Sequence, residues 1–117
     1  MSNRPPDDCR RLEHIVDACT YAINGYAKIG DEQLEDGDLR YFGLLQLIQT
    51  IGEAAYQLTR EFKADHPEVP WRQIIGMRHI LVHEYDKIEE QFVWRVLRDE
   101  LPKLKAQVEQ LLAVLPK

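Results

Sequence analysis

Cysteine, long apolar runs and surplus positive charge are all scarce in this 117-residue chain, and each scarcity removes a class of protein. Two cysteines, Cys9 and Cys19, are too few and too close for a disulfide framework, and without a second pair they make a poor zinc signature. Cys19 reads instead as a small core residue. No apolar stretch approaches the roughly 20 residues needed to span a bilayer, so no membrane association is expected. The opening Met-Ser-Asn-Arg-Pro-Pro has no apolar core of a secretory signal, which sets the expectation of a reducing cytoplasm. A formal charge of -5 and a pI near 5.3 argue against a broad basic face for nucleic acid. Any contact with RNA is therefore local and its footprint restricted. Alternating strand patterns, 20- to 50-residue repeats and Ser/Gly/Pro-rich linkers are missing too, which leaves one all-α domain over residues 1–117.

What is present is helical periodicity. Between about Asp7 and Ile29, the residues Leu12, Ile15, Val16, Cys19, Ile23 and Tyr26 recur at three- and four-residue spacing, with Asp7 or Asp8 as the cap and Gly30 as the stop. A mobile acidic connection follows, ending at Asp38 as the next N-cap. A second helix is expected from Leu39 to about Ala64, with one stripe of Leu44, Ile48, Ile51, Ala55, Leu58 and Phe62 and a second of Leu45, Gly52 and Tyr56. Two stripes imply two packing partners. Pro67 and Pro70 break the chain before a third helix, Trp71 to about His83, in which Gly76 predicts a bend or a close backbone contact. A last helix from about Glu89 carries Val93, Leu97, Leu101, Leu104, Val108, Leu111 and Leu115, with Pro102 expected to kink or split it. The pattern is that of an up-and-down bundle of four to five helices.

The chemistry is concentrated in Gly76-Met77-Arg78-His79-Ile80-Leu81-Val82-His83-Glu84-Tyr85. Arginine is a permanent planar cation suited to phosphate oxygens, and histidine exchanges protons near neutrality. With RNA as substrate the 2′-hydroxyl supplies the nucleophile, so a proton acceptor, a proton donor and a cation suffice, and no metal or other cofactor is called for. Arg78 and His83 suit those roles. On a straight helix, however, they lie roughly 140° apart. Either the helix ends near Val82 and His83 turns back, or two copies meet across a two-fold axis and share the site. The shared site, and hence a homodimer, is the expectation. Blander readings stand beside it. Arg78 can be an ion-pairing arginine toward Glu53 or Glu84; His79 and His83, at i and i+4, have the spacing of zinc ligands without an obvious third; Tyr85 can be a buried ring. Trp71 and Trp94 read as core or interface anchors, and His14 and His66 as surface histidines.

These segments together resemble the HepT-like branch of the HEPN superfamily, the toxin halves of HEPN/MNT toxin–antitoxin pairs. The resemblance is carried by Ile51-Gly52-Glu53-Ala54-Ala55, His66-Pro67-Glu68-Val69-Pro70-Trp71, Gly76-Met77-Arg78, Leu81-Val82-His83, Tyr85, Val93-Trp94 and Leu101-Pro102. It implies a homodimeric HEPN bundle with the motif lining an interface cleft, and metal-independent endoribonuclease activity toward cellular RNA. In that light Arg78 and His83 match the catalytic pair. Tyr85 matches the tyrosine that a minimal nucleotidyltransferase antitoxin modifies with AMP. The family commonly has asparagine or another small polar residue after the arginine, where this chain has His79, an auxiliary candidate. The competing reading is a catalytically silent helical module that binds a nucleotidyltransferase or a nucleotide.

Overall fold

A computed structural model describes residues 7–83 and 89–115, and the architecture within them is entirely helical. The first helix, α1 (Asp8–Ile29), starts where the Asp7 carboxylate accepts the Arg10 N–H at 3.0 Å and stops at Gly30, whose φ of 59° suits a residue without a Cβ. Then follow α2 (Leu39–Gln57), the short α3 (Arg60–Asp65), α4 (Trp71–His83), α5 (Glu90–Arg95) and α6 (Leu101–Val114). A π-helical turn, Val96–Glu100, joins the last two into one continuous helix.

The core lies where α1 packs against both α2 and α6. Leu12, Ile15, Ala18, Cys19 and Ala22 of α1 meet Leu44, Ile48, Ile51 and Ala55 of α2, and Leu101, Leu104, Val108 and Leu111 of α6. Burial pushes the Cys19 thiol up to about 12, so it is a packing residue, as its position in the stripe suggests. At one end of the bundle Tyr26 stacks on Trp94 with 5.6 Å between ring centroids, and Tyr41 meets the same indole edge-on. The side of α2 that carries the second stripe packs against α4, with Gly52 at the point of contact. No described helix is long and apolar enough to cross a membrane.

Four expectations need correction. The second helix does not run to Ala64. The Asp8 carboxylate, from the far end of α1, accepts the Thr59 N–H at 2.9 Å and the Thr59 hydroxyl at 2.7 Å, which fixes an extended residue there, and Thr59 then caps α3 through the Phe62 N–H. The acidic connection, expected to be loose, is fastened by Arg40, which donates to Glu32 on one side and Asp38 on the other. Gly76 leaves α4 unbroken and a Cβ there would meet nothing within 4 Å; the glycine that permits a close approach is Gly52. His66, read as a surface residue, packs its ring on Phe62, 4.4 Å between centroids.

Pro102 does divide the last helix. Proline has no N–H to give the carbonyl four residues back, and its ring crowds that carbonyl. The chain widens just before it, with the Leu101 N–H donating to the Val96 carbonyl five residues back, and α6 restarts with Pro102 in its first turn.

Candidate active site

The site is built on α4 and on the face of α2 beneath it. Pro70 opens α4, its carbonyl accepting the Ile74 N–H at 3.1 Å, and Trp71, Ile74 and Leu81 bury the inner side. Gly52 is what brings the two backbones together. A Cβ on Gly52 would run into the Cβ of Arg78 and come within 3.1 Å of the Ile74 carbonyl oxygen. Because α2 carries no side chain there, Arg78 emerges flush against it.

Three α2 residues shape the surroundings of Arg78. Glu53 forms an ion pair with its Nε, without the alignment of a hydrogen bond, and Gln57 donates from Nε2 to the other Glu53 oxygen at 2.9 Å. One turn on, the Tyr56 ring lies 5.7 Å from the guanidinium carbon. Arg78 keeps 32% of its side chain open to solvent and Glu53 keeps 42%, so the pair is weak and can be exchanged. Glu53 is the ion-pair partner anticipated for Arg78. Glu84, the alternative, lies outside the described residues, as does Tyr85.

Helix α4 continues through His83, so His83 does not turn back toward Arg78. Five helical positions separate them by roughly 140° around the axis. The structure instead pairs His79 with His83, both exposed, with ring centroids 4.5 Å apart. The chain thus presents a cation on one side of α4 and two imidazoles on another. No group of three His, Cys, Asp or Glu side chains among the described residues is arranged to hold a metal, and His79–His83 has no third donor there.

A further side of α4 borders a groove of about 730 Å³ against the α5–α6 helix, lined by Met77, Ile80, Phe92, Val96, Leu101 and Leu104. Met77 precedes Arg78 and so lies roughly 100° from it, which separates the groove from the Arg78 side. Sequence reasoning weighed Tyr56 only as part of an apolar stripe and missed what Gly52 does. They sit one turn apart on the side of α2 that borders α4, Gly52 buried and Tyr56 exposed.

An all-helical domain with an arginine and a histidine five residues apart on an open helix has the form of a HEPN protein. The family model described as ribonuclease HepT-like matches residues 9–111, and the chain belongs to that family. A candidate RNase of Caldanaerobacter subterraneus subsp. tengcongensis is 34% identical over 101 residues, which cover 86% of this chain and 90% of the relative. A candidate RNase of Methanocaldococcus jannaschii is 32% identical over 98 residues, covering 84% and 90%. A protein of Thermococcus cleftensis, named as a candidate ribonuclease HepT, is 34% identical over 70 residues, covering 60% and 64%. No solved structure gives a significant match.

Proposed function

We propose that this protein is an endoribonuclease that cuts RNA without a metal, working as a homodimer in which Arg78 of one protomer and His83 of the other serve the same phosphodiester. The observation that carries the reading is the placement of Arg78 and His83 on different sides of one open helix, within a chain that matches the ribonuclease HepT-like model over residues 9–111. In the reaction, one imidazole takes the proton from the 2′-hydroxyl, whose oxygen attacks phosphorus. A protonated imidazole gives its proton to the departing 5′-oxygen, and the phosphate is left as a 2′,3′-cyclic ester. Arg78 offsets the charge that gathers on the phosphoryl oxygens. His79, in ring contact with His83, is an auxiliary that either orients the phosphate or holds the second proton. DNA lacks the internal nucleophile and is spared.

The family resemblance extends the proposal. The protein is the toxin of a HEPN/MNT pair, acting on cellular RNA in the cytoplasm, and a nucleotidyltransferase antitoxin silences it by adding AMP to Tyr85. The added bulk and negative charge near Arg78 and His83 would repel the RNA phosphate. Mass spectrometry of protein co-expressed with such a partner checks this, and an unmodified Tyr85 in a fully inhibited complex would count against it.

One observation favours a second reading, a catalytically silent module that binds a nucleotidyltransferase or nucleotide: Glu53 already neutralises Arg78 within the protomer. Activity separates the two. Purified protein is incubated with total tRNA and a long mRNA in excess EDTA, His83→Ala is run alongside, and new ends are sequenced. Cleavage by the natural protein alone is expected; intact RNA from an unmodified dimer would favour the silent module.

A further inference from the structure

An exposed tyrosine is ordinary on a protein surface, but Tyr56 is not merely exposed. Its side of the molecule is where three helices converge: the ring belongs to α2, Lys63 reaches it from α3 and Arg78 from α4. The Lys63 Nζ lies 6.0 Å and the Arg78 guanidinium carbon 5.7 Å from the ring centroid. Lys63 also donates to the Tyr56 carbonyl at 3.3 Å, which ties α3 to the end of α2. Yet Tyr56 remains 59% exposed, a large aromatic surface open to solvent with two cations beside it.

We propose that Tyr56, Lys63 and Arg78 form a subsite for one unpaired nucleobase and its neighbouring phosphates, so that the protein selects single-stranded RNA. The inference rests on the ribonuclease reading and adds the form of RNA that the site accepts. Aromatic rings take bases of any identity on their π-face, and cations beside them take the backbone. A base arriving on Tyr56 displaces a cation from above the ring and leaves it to the adjacent phosphate. Arg78 then links the two events, since the same guanidinium borders the ring and faces the phosphate to be cut. Glu53, its ion-pair partner within the chain, gives way to that phosphate. The overall charge of -5 fits a small subsite better than a long basic track, because one stacked base supplies affinity that charge alone does not. In duplex RNA the base faces are covered by their neighbours, and Tyr56 has nothing to stack on.

The test uses the full chain with a 2′-O-methyl oligoribonucleotide, which binds but lacks the attacking hydroxyl, as a single strand and as a hairpin duplex. Tyr56→Ala should weaken single-strand binding about 5- to 100-fold and leave the weaker duplex binding alone. Tyr56→Phe, which keeps the π-face, should restore most of the affinity. Lys63→Ala should weaken binding and flatten its dependence on salt. Sedimentation of the same variants keeps a second explanation apart: if Tyr56→Ala dissociates the protein, the ring is a protein contact and the subsite is wrong. Unchanged single-strand affinity in Tyr56→Ala, with natural protein that still cuts RNA, would sink the subsite alone. A natural protein that neither binds nor cuts RNA would overturn the ribonuclease reading and the subsite with it.

Discussion

Helix α1 and helix α4 are held in opposite ways. Helix α1 is clasped between α2 and α6, and Leu12, Ile15, Cys19 and Ala22 are wholly removed from solvent. Helix α4 leans chiefly on α2, and its fit depends on backbone proximity at Gly52 and on an ion pair that water reaches. Each residue proposed for the chemistry and described by the structure sits on α4, the less covered of the two. A helix enclosed on two sides keeps only its outer face, where Tyr21 stands exposed, to lend to a substrate or a second copy of the chain. Helix α4 retains two open sides, and its attachment can therefore be perturbed without dismantling the core.

The sharpest way to separate the two regions is to remove the chemistry from α4 alone. His83→Ala, on an exposed position, should lower RNA cleavage by about 10²- to 10⁴-fold with the melting temperature unchanged, as followed by single-turnover assay and circular dichroism. An equally large fall in stability would mean that His83 belongs to the frame. Next in size are two glycine substitutions. Gly52→Ala forces α2 and α4 apart and should destabilise by about 1–3 kcal/mol in urea titrations, with activity lost beyond that loss of folded protein. Gly76→Ala, with open space around the added methyl, should stabilise by about 0.5–1 kcal/mol. The same sign for both would break the claim that α4 is seated through Gly52. Between those two in size, Asp8→Ala removes two hydrogen bonds to Thr59 and should cost about 1–2 kcal/mol, raising hydrogen exchange in α3 before it does so in α4.

The smallest effect lies at the acidic connection. Hydrogen bonds from Arg40, more than its charge, hold the Glu32 and Asp38 carboxyls below their usual range. A carboxyl depressed in the folded state adds stability above its unfolded pKa, near 4, and loses it as pH falls through the folded value. Acidification below about pH 4 should therefore release this connection, seen as NMR shifts at Glu32 and Asp38 with midpoints below those of free carboxylates. Midpoints at the ordinary values would show that Arg40 does not hold it.

Much of the fold is legible in the residues because a 3.6-residue apolar period survives along α1, α4 and α6, with Asp7, Asp38 and Pro70 marking the starts. The error at α2 has a definite cause. Leu58 and Phe62 continue its stripe in register, and what interrupts it is Asp8, distant by 51 residues, which no local pattern reveals. Gly76 and Gly52 teach the same lesson, since a glycine's meaning depends on what stands opposite, and Arg78 stands opposite only the second. The candidate site divides likewise. Arg78, His79 and His83 are conspicuous as residue types, and Glu53 was a foreseeable counter-ion. That Tyr56 borders Arg78 follows from the crossing of α2 and α4, which sequence spacing does not encode.

The π turn before Pro102 is a device of phase. One residue more than an α-helical turn would contain is taken up between Val96 and Glu100, which rotates everything after it by roughly 100° relative to everything before. Helix α5 and helix α6 are therefore set out of step, and that offset lets Trp94 reach Tyr26 and Tyr41 while Leu101, Leu104 and Val108 still face α1. Deleting Asp99 would restore an ordinary helical rhythm and put one half out of alignment, uncovering either the aromatic end or the leucine face. The surplus residue works as a gear tooth, and the groove beside α4 takes its shape from the setting.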